Sequence, residues 1–203
     1  MNTKRTARNE QISKMILCAI FIALIVMMTF IPEIGYLTIN LVPITIIHIP
    51  VIVGGILLGR KYGLILGLVF GLGSMTRSFM EYSAYAPFTN PLLSVAPRVF
   101  IGFISYDIYQ LFVKWIKNDK LSVPLALGVV TLIHSLIVLP LLYWFGVSGF
   151  FFFNNEFIFS VDSGLFGYIW LVFTTNSVFE IILAILIGTP IVLILTQIQK
   201  QPK

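Results

Sequence analysis

Long apolar stretches, separated by short polar segments, constrain this chain more than any other feature of its sequence. A helix needs about 20 apolar residues to cross a hydrocarbon core of roughly 30 Å, and runs of about that length recur along the whole chain. Of its 203 residues, 58% are hydrophobic and 10% are charged, which is more apolar surface than a soluble domain of this size can bury. The sequence therefore predicts one integral membrane domain, residues 1–203, of the all-α class.

The apolar runs and the residues that break them predict six transmembrane helices. Their expected ranges are 13–31, 42–59, 62–76, 93–116, 123–146 and 166–197. The third run is short and rich in glycine, so it predicts either a closely packed helix or a partly re-entrant one. The first run follows basic residues, as in a signal peptide, but no small-residue cleavage site comes after it. We therefore expect it to be retained as the first helix.

The basic residues predict the orientation of the helices. If six helices alternate in direction, all 13 lysines and arginines except Arg77 and Arg98 fall on one side of the membrane. The positive-inside rule makes that side cytoplasmic, so both termini are expected in the cytoplasm. The net charge of +5 is then explained by phospholipid head groups, and we predict no binding of nucleic acid.

The chain lacks the sequence motifs of a membrane enzyme. Cys18 is the single cysteine, which excludes an intrachain disulfide and a multi-cysteine metal site. The sequence contains no HExxH, GxSxG or GxxxxGK[ST] motif. We predict no catalytic residue, no metal and no cofactor, so energy for any solute movement must come from a gradient or from partner subunits.

Polar side chains inside the predicted helices are the sharpest indications of function, because each costs several kcal/mol in hydrocarbon unless it meets a partner or water. These residues are Arg98, His134, Asn176 and Glu180. With a rise of 1.5 Å per residue, the first three lie roughly 8, 18 and 15 Å below the outer ends of their helices and can face one outward-open cavity. Two alternatives stay open: Arg98 pairs with Glu180 and only joins two helices, and His134 only makes an interhelical hydrogen bond.

Further candidates lie near the predicted outer surface. Asn40 and Thr45 are expected at the rim of the cavity, while Tyr82, Tyr85 and Asn90 fall in a turn-rich loop that can cover it. The phenylalanine-rich loop 147–165 fits an interfacial belt or part of a lid. For His48, which lies between apolar residues beside Pro50, a packing role and a binding role both stay open.

Three sequence features together carry a family resemblance. Ala19 and Ala23 form an Ala-x-x-x-Ala pair in the first helix, the segment 45–63 joins the second helix to the third, and Pro97–Arg98 opens the fourth. With the length and the helix number, these features resemble the substrate-binding S components of energy-coupling-factor vitamin transporters, in particular the pantothenate and riboflavin branch. The resemblance implies that Ala19 and Ala23 dock against a transmembrane coupling subunit.

The resemblance also implies a mechanism and a location. Two ATPase subunits would drive uptake, the chain would capture vitamin from outside beneath a lid formed by the loops 32–41 and 77–92, and it would topple in the membrane to release the vitamin. A Gram-positive bacterial plasma membrane is the expected location.

Site chemistry favours pantothenate among the vitamins. Its carboxylate suits the guanidinium of Arg98, which can form charge-assisted bidentate hydrogen bonds, and its amide and hydroxyl groups suit His134 and Asn176. Riboflavin has no carboxylate, although aromatic loops can stack on its ring, and nicotinate carries a carboxylate and also stays open. The alternative of a different class is a structural or assembly subunit whose polar residues form only a packing network.

Overall fold

The computed structural model describes residues 2–37, 44–80, 86–148, 167, 170 and 172–200. Its helices are α1 (Asn2–Phe30), α2 (Pro32–Gly35), α3 (His48–Leu58), α4 (Arg60–Met80), α5 (Pro91–Ser94), α6 (Ala96–Ile116), α7 (Asp119–Ser148) and α8 (Val178–Lys200). A 3₁₀ turn spans Ala86–Thr89, and a π-helical turn, Phe173–Ser177, precedes α8. Two short strands, β1 (Tyr36–Leu37) and β2 (Ile44–Thr45), pair in antiparallel register with Tyr36 opposite Thr45.

Helices long and apolar enough to cross a membrane make up most of the described chain. The candidate spans are Arg8–Phe30, Arg60–Met80, Pro91–Ile116, Asp119–Phe145 and Phe173–Ile198. Large apolar side chains such as Trp115, Trp144 and Leu186 are exposed on their outer faces, where lipid would cover them. The prediction of a polytopic all-α membrane protein is confirmed.

The second predicted span, 42–59, has a different structure from the one expected. Its helical part is α3, which has 11 residues and follows directly on β2. At 1.5 Å per residue α3 is about 16 Å long, which is roughly half of a hydrocarbon core. Almost all of its residues are buried, so it lies within the bundle of longer helices. It ends at Leu58, and the following residue, Gly59, has a φ of 96° that lets the chain turn directly into α4.

The glycine-rich third run forms α4, a continuous helix of 21 residues. A β-carbon on Gly63 would lie 2.1 Å from the carbonyl oxygen of Gly102 in α6, and one on Gly67 would lie 2.3 Å from the carbonyl oxygen of Arg98. The two backbones therefore touch, as small residues permit at helix interfaces. This contact fixes the position of the first turn of α6, which carries Arg98.

Candidate functional site

A cavity of about 70 Å³ gathers the polar side chains that the sequence predicts inside the helices. Thr45, Arg98, His134, Asn176 and Glu180 all line it. The remaining lining residues are Phe88, Ser135, Val138, Leu139, Leu142, Val172 and Ser177. The wall thus combines one cation, one carboxyl group and several uncharged hydrogen-bonding groups with an apolar side built mainly by α7.

The α8 side of the cavity is shaped by a change of helix type. Asn176 and Ser177 lie in the π-helical turn, and Glu180 lies in the first turn of α8. Both Asn176 and Glu180 are buried, and they line the cavity together, as their spacing of four residues predicts. Single π-helical turns occur frequently at functional sites because they displace side chains from the regular helical path.

Glu180 also connects α8 to the strand pair. Its Oε1 accepts a hydrogen bond of 2.8 Å from the backbone N–H of Thr45 in β2. The donor and the acceptor are 135 residues apart in the sequence, and both residues line the cavity. The segment that leads into α3 is therefore held by a side chain of the cavity wall.

Arg98 is held in place by its immediate surroundings. It follows Pro97 in the first turn of α6 and donates a hydrogen bond from Nη1 to the carbonyl oxygen of Leu93. Its guanidinium carbon lies 5.4 Å from the ring centroid of Phe70 and 5.1 Å from that of Phe88, both within the range of cation–π attraction. A guanidinium has five N–H donors, so a group positioned this way can also donate to an acceptor inside the cavity.

Two histidines meet on the other side of the site. The rings of His48 and His134 stack with their centroids 5.7 Å apart and their planes inclined by 23°. Both residues are buried, and neither ring nitrogen of His134 makes a hydrogen bond to any group in the described part of the chain. One ligand atom each of His48, His134 and Glu180 lies within 4.8 Å of the others. Such unsatisfied buried groups cost about 1–3 kcal/mol each, so they indicate a site that binds a ligand with hydrogen-bonding groups.

The other predicted site residues have different positions. The Oδ1 atom of Asn90 accepts a hydrogen bond of 2.9 Å from the N–H of Leu92 and so caps α5, and Asn90 is not among the residues lining the cavity. Asn40, Tyr82 and Tyr85 lie outside the described residues. Ala19 and Ala23 are both exposed on α1 and are four residues apart, so they share one face of that helix.

Sequence reasoning missed three groups of the site. Ser135 and Ser177 stand next to predicted residues, but small hydroxyl side chains are common in membrane helices and carry no signal of their own. For His48 the sequence does not decide between packing and binding, because its neighbours along the chain are apolar. Its stacking partner, His134, is remote in sequence, so no local pattern could reveal the pair.

The helices and the cavity define a polytopic membrane protein with a small polar site enclosed among its helices. Over residues 13–192 the chain matches the family model of the ECF transporter, substrate-specific component. It is 30% identical over 209 residues to the pantothenic acid transporter PanT of Lactococcus lactis subsp. cremoris, an alignment that covers 94% of this chain and 97% of that protein. It is 27% identical over 186 residues to the pantothenate transporter PanT of Leuconostoc mesenteroides subsp. mesenteroides, covering 88% and 90%.

This chain therefore belongs to the substrate-specific components of ECF transporters, as the resemblance in its sequence predicted. A component of this kind binds the substrate of a transporter and is not itself an enzyme.

Proposed function

We propose that this chain binds pantothenate and delivers it to an ECF-type importer. The observation that carries the proposal is the wall of the cavity, where the guanidinium of Arg98 lies beside the uncharged hydrogen-bonding groups of His134 and Asn176. Pantothenate needs this combination, because it has one carboxylate, one amide and two hydroxyl groups. The names of the two relatives, both pantothenate transporters, support the same ligand.

The role of Arg98 follows from charge. A carboxylate taken from water into a buried site needs a cation with good hydrogen-bond geometry, and a guanidinium supplies two parallel N–H donors. Phe70 and Phe88 hold that guanidinium at the cavity wall. Riboflavin offers no carboxylate to this residue, so it fits the site less well.

Binding requires the cavity to enlarge. Its volume of about 70 Å³ is well below the roughly 300–1,000 Å³ of typical ligand pockets. The contact between α4 and α6 is too close to change easily, whereas Val138, Leu139 and Leu142 form an apolar wall on α7. We propose that this wall moves outward when pantothenate enters.

The remaining parts of the transport cycle extend the proposal beyond the cavity. The exposed face around Ala19 and Ala23 docks against a transmembrane coupling subunit, and two ATPase subunits supply energy. Both termini lie in the cytoplasm of a Gram-positive bacterium, and pantothenate enters from the opposite side. The origin of both relatives in lactic acid bacteria supports this location.

Titration of the purified protein with pantothenate and with pantothenol, in which an alcohol replaces the carboxylate, tests the proposal. Arg98→Ala should weaken pantothenate binding by about tenfold to more than a hundredfold, which corresponds to roughly 1.5–3 kcal/mol or more for a hydrogen bond to a charged group. Arg98→Lys should recover only part of the loss, because it keeps the charge without the planar fork. Pantothenol should bind weakly to both proteins and should be affected little by Arg98→Ala.

The matched control is Arg60→Ala, which removes an exposed arginine paired with Asp107 at 2.5 Å and should leave both affinities unchanged. Equal weakening of acid and alcohol by Arg98→Ala in a folded protein would make Arg98 a structural residue. Failure of the wild-type protein to bind pantothenate, or copurification of riboflavin or nicotinate, would overturn the ligand assignment.

A further inference from the structure

We propose that His48, His134 and Glu180 form a subsite that binds the hydroxyl-bearing end of the ligand and rejects a negative charge there. The inference rests on the proposed function, because it assigns the end of pantothenate that Arg98 does not hold. His134 and Glu180 contact the ligand, and His48 acts as a positioning residue behind His134.

The hydrogen-bonding capacity of the three groups carries the inference. A neutral imidazole offers one N–H donor and one acceptor nitrogen, and an ionised carboxylate only accepts. The ring nitrogens of His134 have no partner in the described part of the chain, and one of the Glu180 oxygens is occupied by Thr45. A hydroxyl group both donates and accepts, so two hydroxyls placed here can donate to Glu180 and exchange hydrogen bonds with His134.

The burial of the cluster makes its chemistry selective. His48, His134 and Glu180 are at most 9% exposed, so water satisfies them poorly when the site is closed. A ligand that lacks a hydroxyl would leave these groups without partners, which costs more than the mean strength of a hydrogen bond. A phosphate in the same place would put two negative charges beside the carboxyl group of Glu180.

His48 acts through its contact with His134. It does not line the cavity, but its ring stacks on that of His134 from the first residue of α3. Packing of this kind limits the rotamers of His134 and fixes the direction of its nitrogens. The stacking needs a flat ring and not an imidazole, so phenylalanine can replace His48.

A divalent metal ion is the competing occupant of the cluster. Two imidazoles and a carboxylate make a common zinc ligand set. Arg98 lines the same cavity, however, and its fixed positive charge opposes a second cation in a buried site. The observations therefore favour hydroxyl groups.

The first experiment compares pantothenate with analogues changed at the hydroxyl end, using the full-length protein in detergent. Wild type should bind an analogue without the terminal hydroxyl about tenfold to a hundredfold more weakly than pantothenate. His134→Ala should weaken pantothenate binding and should reduce the preference for the hydroxyl, with Glu180 still accepting a hydrogen bond from the ligand. Arg98→Ala should keep the preference for the hydroxyl, because it acts on the other end of the ligand.

Variants of Glu180 and His48 test two further points: the effect of the Glu180 charge on the ligand, and the positioning of His134 by His48. Glu180→Gln should bind pantothenate phosphorylated at its terminal hydroxyl at least about tenfold more tightly than wild type does, a gain that misfolding cannot produce. His48→Ala should reduce the preference for the hydroxyl as His134→Ala does, and His48→Phe should restore it.

Four results would overturn the assignment. They are equal affinity of wild type for pantothenate and the deoxy analogue, no gain for the phosphorylated ligand in Glu180→Gln, an unchanged preference in His48→Ala, and a loss of pantothenate binding on EDTA treatment that Zn²⁺ reverses. The last result would assign the cluster to a metal. If wild type does not bind pantothenate at all, the proposed function itself fails.

Discussion

At the scale of single residues, the position of Arg98 depends on a glycine in a different helix. Gly67 of α4 lies against the backbone of Arg98, and a β-carbon there would lie 2.3 Å from its carbonyl oxygen. Side chains can rotate away from an added methyl group, but a carbonyl of a helix backbone moves only with its helix. The Arg98 guanidinium, which we propose binds the ligand, thus depends for its position on the lack of a side chain at Gly67.

We expect Gly67→Ala to weaken pantothenate binding and to lower stability by about 1–3 kcal/mol, because α4 and α6 must separate. Gly128→Ala is the matched control, since the nearest atom to its β-carbon is the end of the Ile185 side chain at 3.3 Å. Both changes bring the same gain in helix propensity of about 1 kcal/mol. Thermal unfolding in detergent and ligand titration measure the two effects. Equal behaviour of the two variants would show that the α4–α6 contact does not position Arg98.

The site residues that sequence analysis predicted share one physical property. Arg98, His134, Asn176 and Glu180 each carry a cost inside hydrocarbon that is evident from the sequence alone. Their meeting in one cavity follows from tertiary structure, which brings α6, α7 and the continuous segment of the π-helical turn and α8 together around it. His48 carries a similar cost, but its apolar neighbours and Pro50 suit packing as well as binding, and only the fold shows its contact with His134.

At the scale of elements, α1 presents a face that nothing in the described chain covers. Ala19 and Ala23 are exposed there, together with larger apolar side chains such as Ile16, Ile20 and Met27. Small residues four apart allow another helix to approach closely, whereas they bring no comparable packing advantage to a face covered by lipid. The cavity is built by β2, the Ala86–Thr89 turn, α6, α7, the Phe173–Ser177 turn and α8, so the two surfaces share no helix.

We therefore expect Ala19→Trp and Ala23→Trp to leave pantothenate binding by the isolated protein unchanged and to abolish uptake by cells. The bulky side chain prevents close helix approach without touching the cavity. Leu186→Trp is the control, because Leu186 is 65% exposed on α8 and lies outside the α1 face that we assign to docking. Uptake of radiolabelled vitamin by whole cells measures the effect. Normal uptake by the alanine variants would remove the docking assignment.

The element that the sequence described least well is α3. An apolar run of 18 residues is compatible with one transmembrane helix, but the same run also suits a buried strand, a turn and a short buried helix. Every residue from Ile46 to Leu58 except His48 is apolar, so no periodicity distinguishes these structures. Contacts with α4, α6 and α8 decide the outcome, because they bury almost the whole of α3.

At the scale of the whole molecule, the cavity lies between the closely packed α4–α6 pair and the α7 wall, which can move more easily. The α4–α6 pair is joined through backbone contacts, while the α7 wall consists of branched apolar side chains. The strand pair is attached to the cavity through the Thr45–Glu180 hydrogen bond. Entry of a ligand should therefore change the order of β2 and α7 more than that of α4.

Hydrogen exchange with and without pantothenate tests this expectation. We expect ligand to change the exchange of α7 around residues 138–142. It should also slow the exchange of the Thr45 amide and of the 86–95 segment, because Phe88 lines the cavity and the occupied site holds both more firmly. Amides around Gly63 and Gly102 should exchange at the same slow rate in both states. The predicted lid includes segments outside the described residues, and the same measurement reports on them. Equal exchange at Thr45 in both states would contradict a ligand-linked strand pair.

Because α3 crosses only about half of a hydrocarbon core, it affects how the ligand specificity of such a protein can change. A membrane protein can make room for a solute by separating its helices, which exposes new surface to lipid, or by ending one buried helix early. In this chain α3 is short and almost wholly buried, so its length does not set the outline that the longer helices present to lipid, whereas α6, α7 and α8 form part of both the outline and the cavity. Substitutions at buried positions of α3, such as His48, can therefore alter the surroundings of the site while the outer faces of the longer helices stay the same.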